Sequence, residues 1–122
     1  MDFTRKARWE KDGHGTPQPQ KSTYAGGGSR ESVRMALAYA AFNKLEVLVA
    51  NIQNAYLQAL SSEKHYIICE HKFGLENIGK RALIKRALYG GKASSFDFWR
   101  HLCSCMNFSQ NISCPADHDI WM

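Results

Sequence analysis

Five cations, Lys80, Arg81, Lys85, Arg86 and Lys92, lie in a stretch that holds no carboxylate between Glu76 and Asp97. Ammonium and guanidinium groups at this density are the chemistry that follows a phosphate backbone, and Tyr89 places a ring beside them. A solvated surface of no special purpose has the same composition, and both readings fit. His101, Cys103 and Cys105 form a second group. If this segment is helical, His101 and Cys105 share a face and Cys103 turns away. Structural zinc is held by four converging ligands, and no C-x-x-C pair occurs in the chain, so core packing is the better reading. In Asp117-His118-Asp119 only the two carboxylates fall on one side of a strand, and they read as solvated. Gly26-Gly27-Gly28 could offer N–H groups to a phosphate at a helix start. No Gly-Lys-Ser/Thr and no G-x-G-x-x-G frame accompany it, so it reads as a linker leading into a cap. No Ser-His-Asp or Cys-His arrangement follows from spacing alone.

The hydropathy pattern supplies elements for these groups. Residues 1–28 are polar and rich in turn formers, with only Arg5 to Glu10 fit for a short strand. Ser29 is a good N-cap, and Val33, Ala36, Leu37, Ala40 and Ala41 recur at helical spacing, which predicts a helix over about 29–43 with one buried face. Leu45 to Ile52 is branched and nearly all apolar, the pattern of a central strand covered on both faces, with Asn51 as its polar exception near the C-terminal end. Gln53 to Leu60 opens a helical turn, and His65 to Cys69 reads as a second strand. Residues 80–89 fit strand or helix equally. Ser94 with Asp97 resembles a capping box. The stripe Phe98, Trp99, Leu102, Cys103, Met106 then predicts a second helix over about 94–107 with these residues buried. Residues 107–116 read as loop, and Asp117 to Met122 as a strand just starting, the pattern of a truncated domain.

The chain has 122 residues, 44% of them apolar and 22% charged, which suits one small α+β domain and argues against disorder. Sixteen Lys and Arg against eleven Asp and Glu leave a net charge of +5 and an isoelectric point near 9.1, favouring anionic partners. The N-terminal residues lack the apolar run of a secretory signal, and no apolar stretch approaches the roughly 18–20 residues of a membrane span. The expectation is an intracellular, non-secreted protein without a membrane partner. Cys69, Cys103, Cys105 and Cys114 accordingly read as reduced thiols. Oligomeric state is not legible.

Four segments in order, Lys6-Ala7-Arg8, Ser29 to Arg34, Asn51 to Leu57 and Leu88-Tyr89-Gly90-Gly91-Lys92, resemble the reverse transcriptase domain of copia-type retrotransposon polyproteins. The likeness runs from Lys6 to Trp121 and implies the fingers and early palm of a right-hand polymerase. Residues 1–28 would be the fingers hairpin and loop, and 29–122 the remaining fingers and early palm, ending before the Asp-Asp motif. By this resemblance Lys6 and Arg8 would contact the triphosphate, and Tyr56 would lie under the sugar of the incoming nucleotide. The partner would be an RNA or DNA template–primer and the cofactor magnesium. The family's catalytic Asp position is occupied here by Asn51, Gly91 and Ala93 replace the usual Leu and Gln, and no aromatic-x-Asp-Asp sequence occurs.

Magnesium requires hard anionic oxygens, and an amide offers only a neutral one. What the resemblance implies is therefore a reverse-transcriptase-like chain that binds no metal and is catalytically inactive. The other reading is a non-catalytic nucleic-acid module that uses residues 80–92.

Overall fold

A computed structural model describes residues 9–20 and 22–122; Lys6, Arg8 and most of the expected N-terminal strand lie outside them. The elements are α1 (Arg30–Phe42), α2 (Ala55–Gln58), β1 (Leu60–Ile68), β2 (Arg81–Arg86), α3 (Ser94–Phe108), β3 (Ser113–Cys114) and β4 (Asp117–Trp121), with two 3-10 turns between β1 and β2. β1 pairs antiparallel with β2, and β3 with β4, giving two separate two-stranded sheets in a mixed helix-and-strand fold.

Both expected helices form. Ser29 caps α1 by accepting the Ser32 N–H at 3.0 Å, as its residue type leads one to expect. The buried face expected for α1 does not form: of its five apolar positions only Ala40 is buried, and no other described element packs extensively along the helix.

The larger correction is at Leu45 to Ile52. This segment forms no strand; Leu48 is 91% exposed and Val49 95%. A strand exists only where a neighbouring backbone completes its hydrogen bonds, and among the described residues none lies beside it. The ambiguous stretch at 80–89 resolves as strand because β1 offers it an edge, with His65 opposite Ile84 and Tyr66 opposite Leu83. Residues 113–114, expected as loop, pair with β4.

α3 packs across β1 and α2, and its two buried residues are polar, Ser94 and Asp97. Ser94 and Asp97 do not make a capping box: Ala93 is the N-cap residue, without a side-chain bond. Ser94 Oγ donates to the Leu88 carbonyl at 2.5 Å, and Asp97, 2% exposed, accepts the Ser62 N–H at 2.9 Å. Tertiary partners outcompeted the local cap. The stripe from Phe98 to Met106 is half-buried.

Asp117 ties β4 to α1. Its carboxylate accepts the Ser29 N–H at 2.9 Å and the Asp119 N–H at 3.2 Å, so it is not merely solvated. The Ser32 hydroxyl first, then these backbone donors, hold its pKa at about 2, below the ordinary 3.8. A carboxyl with the lower pKa when folded stabilises the fold in its ionised form, fully above the unfolded value and no longer once pH falls through about 2. Acidification from pH 4 to 2 is expected to lower the protection of the Ser29 and Ser32 amides relative to their intrinsic exchange rates. Asp117→Asn is expected to show that lowered protection already at neutral pH.

Candidate nucleotide and nucleic-acid interface

Tyr56 leaves the short helix α2 toward α3, because Asn54 before it takes a left-handed conformation (φ 51°) that turns the chain. Its ring lies 4.7 Å from that of Tyr89 and 6.0 Å from that of Phe98, and its hydroxyl is 3.0 Å from Ser95 Oγ. Three rings and a hydroxyl pair thus join segments 33 or more residues apart in sequence, and the half-buried Tyr56 is their centre.

The strand of chain after Trp9 crosses the same place. Glu10 bridges to Tyr89 in parallel fashion, the Lys11 N–H donates to the Tyr89 carbonyl at 2.8 Å, and Lys92 Nζ donates to the Thr16 carbonyl at 2.6 Å. The crossing is tight at Gly90, whose φ is +80° and where a Cβ would strike the Lys11 carbonyl oxygen, so any side chain there is excluded twice over. Segments 51–57 and 88–92, and the residues just after Lys6 and Arg8, are brought together. Lys6 and Arg8 themselves are outside the described residues.

A ring held this way is structural in the first instance. Tyr56→Ala is expected to destabilise by about 2 kcal/mol, less than a fully buried aromatic because half the ring is open to solvent. Tyr56→Phe, which removes one hydroxyl, is expected to cost about 1 kcal/mol or less. Urea unfolding of both variants measures this; no change for Tyr56→Ala would mean the ring serves only a ligand.

Asn51 is exposed on irregular backbone. Among the described residues no three His, Cys, Asp or Glu side chains gather to hold a metal. A neutral amide outside any such group does not fit the magnesium pair that the resemblance implies.

Asp119, the other carboxylate of β4, accepts the Trp99 indole N–H at 2.7 Å and presses against Gly26, where a Cβ would meet its oxygens. Gly26 therefore serves close approach to a carboxylate, a poor neighbour for a phosphate. Together with Trp99, Leu102, Cys103, Met106, Ile120 and Trp121 it lines a cavity of about 480 Å³. Burial first, and Asp119 second, push the Cys103 thiol pKa up despite an opposing backbone bond. His101 Nε2 lies 3.7 Å from Cys105 Sγ, and Cys103 faces the cavity, as the helical spacing predicts.

The five cations of the basic segment do not converge. Lys80 Nζ bonds Asn77 Oδ1 at 3.3 Å, Arg86 donates to the Gln58 carbonyl at 2.8 Å, and Lys92 is held by Thr16. Arg81 and Lys85 remain on the exposed face of β2. Sequence reasoning missed a further ionic cluster: Glu63 Oε2 meets His65 Nε2 at 2.9 Å and Lys11 Nζ at 3.4 Å. Burial pushes the Glu63 carboxyl up, but the His65 bond and the Lys11 charge outweigh it and hold its pKa below the usual range. The period-2 spacing of Glu63 and His65 was the available signal, once β1 is extended back to Leu60. The chain matches no family model, no curated protein and no solved structure. No helix of the described residues is long and apolar enough to cross a membrane.

Proposed function

We propose that these 122 residues are the fingers and early palm of a copia-type, reverse-transcriptase-like polymerase, and that as they stand they do not polymerise. One observation carries the reading. Two of the four segments whose order resembles that family, 51–57 and 88–92, meet in space around Tyr56, and the chain just after Lys6 and Arg8 crosses the same point, whereas Ser29 to Arg34 lies on α1 apart from it. Inactivity rests on Asn51 and on the lack of a carboxylate cluster near it among the described residues. The partner on this reading is a template–primer, held by backbone phosphates.

Primer extension and a binding competition test the two halves of the proposal. Magnesium-dependent synthesis by the wild-type chain overturns inactivity. A recessed RNA–DNA junction should compete better than a single strand of equal length, and no such preference overturns the family reading.

A further inference from the structure

The outward face of the β1–β2 hairpin carries Lys64, Tyr66 and Ile68 on one strand and Arg81, Leu83 and Lys85 on the other. Residues opposite one another in an antiparallel pair share a face, and here Ile68 faces Arg81 and Tyr66 faces Leu83. All six are exposed, Tyr66 by 59%, whereas the alternate residues Glu63, His65, Ile67, Ala82 and Ile84 are half-buried. The only carboxylate within either strand, Glu63, belongs to the half-buried set and is engaged by Lys11 and His65.

The charge on this face is therefore of one sign. Lys64 and Lys85 are the next residues beyond the His65–Ile84 pair at the same end of the hairpin, where the register shifts before Leu60 pairs with Arg86; both are exposed, and no strand residue on this face is a carboxylate. Exposed cations on a face that carries no carboxylate favour an anion laid across it. Arg81 sits four residues from Lys85, about 13 Å along the strand. Between the two cationic ends lie an open phenol ring and two apolar side chains. Cations at intervals with a ring between them form the arrangement that holds single-stranded nucleic acid, phosphates at the ends and a base stacked on the ring. An acidic protein would satisfy the charges but would leave the ring without a stacking partner.

We propose that this hairpin face binds single-stranded nucleic acid, with Lys64, Arg81 and Lys85 on phosphates and Tyr66 under a base. The site is separate from the ring cluster around Tyr56 and does not depend on the polymerase reading.

Fluorescence anisotropy of the whole chain with a labelled oligouridine or oligothymidine tests it. Three phosphate contacts predict a log–log salt slope near −2, so affinity falls about 20-fold between 50 and 200 mM salt. Tyr66→Ala is expected to weaken binding about tenfold while Tyr66→Phe does not, and Arg81→Ala with Lys85→Ala is expected to flatten the slope by about 1.4. Arg34→Glu on α1, a change of charge elsewhere on the surface, should affect binding far less. Circular dichroism of each variant checks folding, which these exposed positions should leave intact. Cross-linking of a bromouridine oligonucleotide to the peptide containing Tyr66 supports the site without any substitution. Salt-independent binding, an effect of Arg34→Glu equal to that of the face variants, or equal affinity for polyglutamate each overturns the proposal. A negative result here leaves the junction preference and primer extension free to succeed or fail independently.

Discussion

A primer annealed to an RNA template is expected to gain no nucleotides from this chain in magnesium, over any interval in which an active reverse transcriptase would complete the copy. The reason is electrostatic. At an effective dielectric near 20, a unit charge about 4 Å from another unit charge is worth on the order of 4 kcal/mol, and a divalent ion roughly doubles that gross term. Water compensates for part of it, yet even ~3 kcal/mol lost from the transition state slows a reaction more than 100-fold. Asn51 supplies no charge, and its backbone is exposed and irregular, so its carbonyl oxygen is not aimed by a strand as a metal ligand must be. For that reason Asn51→Asp alone is also expected to give no synthesis. The substitution restores one anion and leaves it without the rest of a cage. Extension assays of both chains, with product resolved at single-nucleotide length, measure this. Synthesis by the Asn51→Asp chain would show that the segment orders itself around the metal.

Unfolding in urea is expected to be broad, with a slope clearly below that of an ordinary domain of this size. A folded 13.8 kDa protein exposes about 6.6 × 10³ Å² by the usual scaling. This chain exposes 10464 Å². Against an unfolded chain of about 2 × 10⁴ Å², it removes about half of its surface from water, where about two-thirds is usual. The denaturant slope follows the area exposed on unfolding, so roughly 0.7 of the normal value is expected. The buried set explains why: among the described residues Ala40, Ala59, Cys69, Ala87 and Ala93 are its apolar members, and no large side chain is fully buried. The apolar mass sits outside, on α1 and on Leu45 to Ile52. An exposed branched segment with free backbone groups also templates strand pairing between copies. Val49→Lys is therefore expected to reduce self-association in sedimentation measurements and to leave stability within about 0.5 kcal/mol, because a side chain 95% exposed has few contacts to lose. A sharp, high-temperature cooperative transition of the monomer would contradict this account.

Much of the candidate site was legible one residue at a time and little of it as an arrangement. Tyr56 and Tyr89 were both singled out, yet nothing in their spacing says that their rings lie 4.7 Å apart. That proximity depends on α2 and the crossing at Gly90. The basic segment shows the opposite case. As a run of charge it looked like one patch, but strand geometry sends neighbours to opposite faces, and three of the five cations met oxygens nearby. Tyr66 lay within the strand expected from His65, but Lys64, its neighbour on the same face, fell outside it; a strand beginning at Leu60 places Lys64, Tyr66 and Ile68 in one row.

The sequence by itself determined what local forces decide: the two long helices, the Ser29 cap, the shared face of His101 and Cys105, and the glycine break after Tyr89. Capping bonds and helical periodicity act within a few residues, so their outcome is written in the order of the chain. Only the tertiary structure decided which apolar segments found a partner. Leu45 to Ile52 has the composition of a buried strand and lies open. The more polar β1 forms a strand because β2 lies alongside it. A strand is a relation between two backbones, and composition describes only one of them.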